Sequence, residues 1–402
     1  MIIAMNIRTI KKIEPCCPPS SSSCCAPPAA PREKTPSCCA AVAPTPVDTA
    51  PCCGPATTVR GGEIDEQVPG FLGWLETPAG RVPGIATDLT FHDRLGACKA
   101  RWAIGRMTYI VPPGLYAVGS PTTESSVVVT ANYKMSYDII RSVLVGRNVW
   151  LLVLETFGVN VWCAAGKGTF GTEELVERIE ASGLARAVTH RNLILPILGA
   201  PGVAAHEVKQ RTGFHVRYAT IRANDLPDYL DNGMVTTPAM GRLTFTWYER
   251  LVLVPVELVM AMKSTTLIAA VLFTTGLLVD GYRTGLTLAL AWSGAMLTGV
   301  VAGPLLLPWL PGKSFALKGA IAGLGWSLIC WLMADGKSWG APETLALFLA
   351  ASAVSAFHTL NFTGCTTYTS PSGVRKEMRL ALPVMAVALL LSGLLLLTGL
   401  FT

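Results

Sequence analysis

The sequence has few charged residues for its length. Asp, Glu, Lys and Arg make up 14% of the 402 residues, against about 25% in an average soluble domain. Hydrophobic residues make up 51%, and the apolar excess lies after residue 250, so we expect a membrane portion. The basic residues give a formal net charge of +6, but they are scattered and form no stripe. This distribution argues against a nucleic-acid-binding protein.

Several metal and nucleotide motifs are also absent from the sequence. No Cys-x-x-Cys occurs, so neither a zinc ribbon nor a ferredoxin-type cluster is encoded. The run from Gly166 to Gly171 has the spelling of a dinucleotide fingerprint, but it lies well beyond the preceding apolar run instead of in the turn after it. Lys167 is not followed by Ser or Thr, which excludes a Walker A loop.

The amino-terminal segment, residues 1–60, is rich in proline, alanine, serine and cysteine. Large apolar residues are nearly absent between residues 15 and 55, so we predict a disordered tail. Eight of the twelve cysteines form adjacent pairs there: Cys16-Cys17, Cys24-Cys25, Cys38-Cys39 and Cys52-Cys53. Vicinal thiols bind soft cations, so metal capture is one hypothesis for the tail, and an extension without selected function is the other.

Residues 61–240 alternate between strand and helix patterns. Apolar or β-branched runs predict strands at 126–130, 149–154, 193–196 and 214–219. Amphipathic patterns predict helices at 136–145, 172–182 and 201–213, with Thr172 as an N-cap and Pro201 at a helix start. The alternation predicts a parallel sheet covered on both faces, which is a Rossmann-like α/β domain. For residues 63–118 we predict irregular structure and short strands. The last segment predicted for the domain is 226–230.

Residues 241–263 form an amphipathic linker that we expect at a membrane surface. Residues 264–402 then predict an all-α transmembrane domain of about five helices. Their predicted bounds are 264–279, 285–307, 316–334, 344–358 and 380–401. One end of these helices carries most of the basic residues: Arg242, Arg250, Lys263, Lys313, Lys318, Arg375, Lys376 and Arg379. The other end carries Arg283 and Lys337, so the positive-inside rule predicts a multi-pass inner-membrane protein with its α/β domain in the cytoplasm.

One stretch concentrates residues suited to ligand chemistry. It runs Asn160-Val161-Trp162-Cys163-Ala164-Ala165-Gly166-Lys167, after a predicted strand and before a predicted helix. Open α/β sheets place ligands at this end of a strand. A thiolate is a metal ligand, and a helix start or a cation such as Lys167 lowers the pKa of a thiol. The alternative is that Cys163 is a small buried hydrophobic residue, as most lone cysteines are.

This stretch resembles, residue for residue, the cap-helix motif of the mercury-methylating corrinoid protein family. The corrinoid domain of that family is related to that of the corrinoid iron–sulfur proteins of acetyl-CoA synthesis. Further matching segments are 114–119, 129–134 and 199–203, and a hydrophobic carboxyl-terminal third completes the pattern. The resemblance covers roughly residues 65–402.

The resemblance implies an enzyme, a corrinoid-dependent methyltransferase that converts Hg(II) to methylmercury. Cys163 would then be the catalytic residue and the lower axial ligand of the cobalt of cobalamin or a related corrinoid. The residues implied to bind the cofactor with it are Thr130, Asn132, Asn160, Val161, Trp162, Ala164, Ala165, Gly166 and Lys167. Small side chains let the backbone approach a flat macrocycle closely. The implied partners are a ferredoxin-like iron–sulfur reductant, a methyltetrahydrofolate-linked methyl donor and Hg(II).

Two other functions remain open. The chain could be a corrinoid methyl carrier of one-carbon or acetyl-CoA metabolism, although the missing cluster cysteines and the five apolar helices weigh against a carrier of acetyl-CoA synthesis. It could instead be a heavy-metal binding or transport protein of the membrane, in which the cysteine pairs and the helices would be the functional parts. Corrinoid content distinguishes the two, because a transporter would contain none.

Overall fold

A computed structural model describes residues 68–365 and 369–399. The predicted tail, with its four cysteine pairs, and residues 61–67 of the predicted α/β domain lie outside the described residues. Seven strands form one sheet. They are β1 Phe71–Thr77, β2 Gly80–Ile85, β3 Gly114–Val118, β4 Val127–Ala131, β5 Val149–Leu154, β6 Asn192–Leu195 and β7 His215–Tyr218.

The sheet is mixed, with the order β1-β2-β3-β5-β4-β6-β7. Strands β5, β4, β6 and β7 pair in parallel, as predicted. Strand β2 also pairs in parallel with β3, but β1–β2 and β3–β5 are antiparallel. The parallel arrangement predicted for the strands between residues 126 and 219 is therefore confirmed. The antiparallel pairings involve β1, β2 and β3, which lie in the part of the chain where only short strands without positions were predicted, and they make the whole sheet mixed. The short connection at 78–79 makes β1 and β2 a hairpin, and only antiparallel strands can be joined so tightly.

Between residues 68 and 240, the described part of the sheet domain has seven α-helices: α1 Phe91–Arg101, α2 Lys134–Val143, α3 Val161–Lys167, α4 Thr172–Ala181, α5 Leu184–Ala187, α6 Ala205–Thr212 and α7 Leu226–Asp231. Successive residues of the central strands alternate between two hydrophobic clusters. Leu152 and Leu154 of β5 belong to one cluster, whereas Leu151 and Val153 belong to the other. Because side chains of a strand alternate between faces, both faces of the sheet are covered, as predicted.

Two predicted helix starts differ from the structure. Gly171, in extended conformation, is the N-cap of α4, and Thr172 is its first helical residue. Helix α6 begins at Ala205 instead of Pro201, because residues 199–204 form turns first, with the Gly202 amide donating to the Gly199 carbonyl at 3.0 Å. The Thr172 hydroxyl instead accepts from the Ala204 amide at 2.8 Å, so it joins two loops at the same edge of the sheet.

A buried cluster of four charged side chains fastens α1 to α2. Lys134 donates to Asp93 at 2.5 Å and to Asp138 at 2.6 Å, and Arg141 donates to the same two carboxylates at 2.8 Å. All four residues are buried. Burial alone would raise the pKa of Asp93, but hydrogen bonds from Lys134 and Thr90 outweigh it and hold that pKa well below its usual range. The cluster is thus charged and internally balanced at neutral pH.

The carboxyl-terminal region is helical: α8 Trp247–Leu251, α9 Val254–Asp280, α10 Tyr282–Leu297, α11 Gly303–Leu306, α12 Phe315–Met333, α13 Ala341–Asn361 and α14 Pro371–Gly399. Thr298–Ala302 forms a π-helical turn between α10 and α11. In the described part of the chain, five helices are long and apolar enough to cross a membrane, by length and composition. The amphipathic linker predicted at 241–263 differs from the structure in its second half, because residues 254–263 are the first residues of α9.

Candidate functional site

Helix α3 carries Cys163 at the carboxyl edge of the parallel strands. Asn160 is its N-cap, and the side-chain oxygen of Asn160 accepts from the Cys163 amide at 2.9 Å. Gly168 ends the helix in left-handed conformation, with φ 82°, which a residue without Cβ adopts at little cost. Ala164 and Ala165 are buried in the core. Cys163 is half-buried, and Gly166 and Lys167 face solvent.

The electrostatic environment of the Cys163 thiol differs from the prediction. Burial raises the pKa of the thiol above its ordinary value of 9.0, and this effect exceeds the opposing effects of the cations Lys167 and Arg106 and of the Asn160 hydrogen bond. Lys167 does favour the thiolate, as predicted, but it does not control the balance. Cys163 is therefore mainly a neutral thiol at neutral pH, and ligation of a metal would require loss of its proton.

The loop between β5 and α3 is held by Asn132, which follows β4. The Asn132 side-chain oxygen accepts from the Thr156 amide at 3.0 Å and from the Thr156 hydroxyl at 2.9 Å. Its amide nitrogen donates to Glu155 at 2.6 Å, and the Glu155 amide donates to Glu174 of α4 at 2.8 Å. Asn132 is fully buried. Its side chain thus fixes the loop that leads into the cysteine helix.

A second segment, residues 106–110, reaches the same loop from the other side. A Cβ placed on Gly158 would meet the Ile110 side chain at 2.9 Å and the Met107 carbonyl at 3.2 Å, so these segments are in close contact. Met107, Ile110 and Phe157 are exposed apolar residues. Phe157 has φ 55°, a left-handed conformation that a bulky side chain rarely adopts. An apolar surface held under local strain therefore adjoins the start of α3.

The turn after β6 packs directly against the back of α3. A Cβ on Gly202 would meet the Phe170 carbonyl oxygen at 2.1 Å and the Ala165 Cα at 3.0 Å. Phe170 is itself fully buried. The absence of a side chain at position 202 lets the backbone of this turn set the position of α3.

The residue types around Cys163 suit a cobalt macrocycle better than a bare metal ion. Among residues 68–365 and 369–399, no three His, Cys, Asp or Glu side chains are grouped as metal ligands. A single thiolate is nevertheless a sufficient axial ligand when a macrocycle supplies the other positions, as in thiolate-ligated haem. Cβ atoms added at Gly166 and Gly168 would meet nothing within 4 Å. This open side of α3, beside an exposed apolar surface, fits a flat ligand.

The structure brings most of the predicted site residues to one edge of the sheet. Asn160 to Lys167 form α3 and its cap, and Asn132 bonds the preceding loop. Thr130 is buried in β4, opposite Val153 of β5. Their contact with a corrin stays a prediction. Sequence reasoning missed Arg106, which acts on the thiol from a segment distant in sequence, and the packing role of Gly202, although the 199–203 segment had been singled out.

Comparisons with known proteins match the sheet domain. Residues 105–230 match the family described as CO dehydrogenase/acetyl-CoA synthase delta subunit. The chain is similar to the acetyl-CoA decarbonylase/synthase complex subunit gamma of Methanopyrus kandleri, with 33% identity over 123 residues, 30% of this chain and 26% of that protein. The subunit gamma of Methanocaldococcus jannaschii is 32% identical over 129 residues, 32% of this chain and 26% of that protein. The chain thus spans about a quarter of the length of these relatives.

These matches correct the family assignment made from the cysteine motif. The matching family is that of the CO dehydrogenase/acetyl-CoA synthase delta subunit, and the relatives are gamma subunits of acetyl-CoA decarbonylase/synthase complexes. The assignment to a mercury-methylating family is therefore wrong, and so is the prediction of an enzyme that methylates Hg(II). A short cap motif describes one helix and its neighbourhood, and it does not separate families whose domains are related. Over residues 105–230, this chain is similar to a family of acetyl-CoA-forming complexes.

Proposed function

We propose that this protein is a corrinoid methyl carrier of acetyl-CoA metabolism, anchored to a membrane by its carboxyl-terminal helices. The observation that carries the proposal is the lone half-buried thiol of Cys163 on α3, which lies inside the segment that matches the acetyl-CoA synthase family. The relatives are named as subunits of a complex, so we propose that this chain also works with partner proteins.

A bound corrinoid would supply cobalt, which can accept a methyl group from a donor and release it to an acceptor. The Cys163 thiol would lose its proton and donate a thiolate to the cobalt. Lys167 and Arg106 favour the negative charge of that thiolate. Asn160 holds the Cys163 amide, so the sulfur is presented from a fixed turn. Gly166 and Gly168 leave the exposed side of α3 open for the flat ligand.

The described residues group no set of iron–sulfur ligands, so we propose that a ferredoxin-like protein supplies the reducing electrons and that a methyltetrahydrofolate-linked donor supplies the methyl group. Helices α9, α10, α12 and α13 lie within four of the five segments long and apolar enough to span a bilayer, and α14 contains the fifth. The basic residues at their domain end support a cytoplasmic position for the Rossmann-like domain. Extraction of membranes at alkaline pH tests the anchor: the full-length chain should stay in the membrane pellet.

The first experiment reconstitutes the full-length protein in detergent with cobalamin and records its absorption spectrum. The wild type should show a thiolate-dependent spectrum, and Cys163→Ala should lose it. Cys98→Ala is the matched control, since Cys98 is an exposed cysteine of α1, and this variant should retain the spectrum. A wild-type spectrum from Cys163→Ala would refute the proposed ligand.

The second experiment follows function. Labelled methyl groups from methyltetrahydrofolate and its methyltransferase should become bound to the wild type and to Cys98→Ala, and much less to Cys163→Ala. Protein that binds no corrinoid under these conditions would instead favour the alternative, a metal-binding or transport protein of the membrane.

A further inference from the structure

One cavity among the described residues lies away from Cys163, at the junction of the sheet domain with the apolar helices. It has a volume of about 840 Å³ and is lined by residues 222–228 and 237–246. The sheet domain and the helices belong to one compact unit. A cavity of this volume is in the range of small-molecule sites. No step of the proposed methyl transfer uses it.

The cavity contains charges of both signs that are not used for internal ion pairs. Its lining includes Arg222, Arg242, Asp225 and Asp228, and none of them takes part in a salt bridge between described residues. Arg222 also faces Glu249, but that carboxylate already accepts hydrogen bonds from Thr244 and Thr246. Asp228 also acts on Arg147, but that guanidinium is already paired with Asp231. The exposed side chains of Arg222, Arg242 and Asp228 and the half-buried side chain of Asp225 are therefore accessible to a ligand.

The position of the cavity places it at the level where the apolar helices end. Its lining residue Phe245 packs against Phe362, directly after α13, with tilted rings whose centroids are 6.0 Å apart. The Phe245 carbonyl accepts from Arg250 of α8 at 2.8 Å. Trp247 and Tyr248, the next residues along the chain, are 60% and 59% exposed. Exposed Trp and Tyr at the end of a spanning segment are typical of the headgroup level of a bilayer.

From these observations we propose that the cavity binds the headgroup of a zwitterionic phospholipid with a primary ammonium, of the phosphatidylethanolamine class. The inference rests on the membrane anchor of the proposed function. Arg222 and Arg242 would donate to the phosphate, because guanidinium groups match its oxygens. Asp225 and Asp228 would accept from the ammonium. The apolar lining residues, among them Leu243 and Met240, would contact the first carbons of the lipid.

This chemistry predicts a choice between lipids. A primary ammonium has three N–H donors for the two carboxylates, whereas the quaternary ammonium of choline has none. The phosphate of phosphatidylglycerol can also accept from the arginines, but this headgroup has no ammonium. Its binding would therefore leave the two aspartates without a positively charged partner. Phosphatidylethanolamine should therefore bind more tightly than either of the other two lipids.

The test measures thermal unfolding of the full-length protein in detergent with added lipids of identical acyl chains. Phosphatidylethanolamine should raise the Tm more than phosphatidylcholine or phosphatidylglycerol. Arg242→Gln should weaken binding of all three lipids, by roughly tenfold as expected for one charge-assisted hydrogen bond. The double variant Asp225→Asn/Asp228→Asn should bind phosphatidylethanolamine and phosphatidylcholine equally. Lys209→Gln, an exposed change on α6, is the matched control and should behave as wild type.

Several outcomes would overturn the proposal. Equal stabilisation of the wild type by the three lipids, or an unchanged lipid preference in the double variant, would refute the headgroup assignment. The same Tm rise with glycerophosphoethanolamine or inorganic phosphate would assign the cavity to a soluble phosphate compound. Arg242→Gln should keep the thiolate-dependent cobalamin spectrum and should stay in the membrane pellet at alkaline pH. A wild type without the thiolate-dependent spectrum would refute the methyl carrier, and a wild type released from the membrane at alkaline pH would refute the anchor. Both readouts are independent of the preference among lipids.

Discussion

Gly202→Ala tests whether the turn after β6 controls the position of the Cys163 thiol. The added Cβ would lie 2.1 Å from the Phe170 carbonyl oxygen, whereas real Cβ atoms essentially never come closer than 3.0 Å to such an atom. The difference, 3.0 minus 2.1, requires a movement of at least 0.9 Å. The opposing Phe170 oxygen is a backbone atom, so either the segment that follows α3 or the turn itself must move. Such overpacking costs about 1–3 kcal/mol of folding free energy.

A shift of the segment that follows α3 should disturb the position of Cys163 and weaken cobalamin binding, because a misplacement of about 1 Å at a reacting centre can cost on the order of a hundredfold. Titration of the full-length protein with cobalamin, followed by absorbance, should show at least a roughly tenfold loss of affinity. Gly84→Ala is the control: its Cβ would meet the Gly73 carbonyl at an ordinary 3.5 Å, so affinity should not change. Wild-type affinity in Gly202→Ala, together with a lowered Tm, would show that the cofactor does not depend on the position of α3.

Two further substitutions separate stability from binding. Gly166→Ala should stabilise the protein by up to about 1 kcal/mol, because alanine is the better helix former and its methyl group meets open space. The same methyl group should weaken cobalamin binding. Unchanged binding in a titration would show that the cofactor does not cover this side of α3. Asp93→Asn should lower the free energy of unfolding by about 3–5 kcal/mol, because it leaves Lys134 and Arg141 underpaired in a buried site. Folding lowers the pKa of Asp93 below its ordinary 3.8, so its contribution is complete above that pH and is lost as the pH falls toward the folded value. Urea unfolding at several pH values should show this acid loss in the wild type and less of it in the variant, and parallel pH profiles would contradict the assignment.

The central strands could be predicted from the sequence because their residues are apolar on both faces. Strands β4 and β5 were predicted to within a residue, since uninterrupted β-branched and leucine runs have few other structures open to them. Strand β1 lies among the short strands predicted for residues 63–118, but its position could not be predicted, because its residues alternate between half-buried and exposed and no face of it is strongly apolar. Helix α1 was missed as well, although Thr90 and Asp93 form a capping box whose spacing is visible in the sequence.

The helix that carries Cys163 could also be predicted from the sequence. The contacts that distant segments make with this helix could not. Helix α3 follows from a run of small residues between an Asn cap and Gly168. The contact of Gly202 with the back of α3 and the action of Arg106 on the thiol depend on how distant segments meet. A sequence pattern with a period of two or 3.6 residues carries no information about such meetings. The burial that raises the pKa of Cys163 belongs to the same class of effect.

The raised pKa of Cys163 has a consequence for the newly made, cofactor-free chain. Burial raises the pKa of the thiol above its ordinary value, so the protonated form predominates at neutral pH. Oxidants and alkylating agents react with the thiolate and not with the thiol. The half-buried thiol of the cofactor-free chain should therefore react slowly with these agents. Under the proposed function, the burial that raises this pKa would keep the sulfur reduced until a corrinoid binds and the thiol loses its proton.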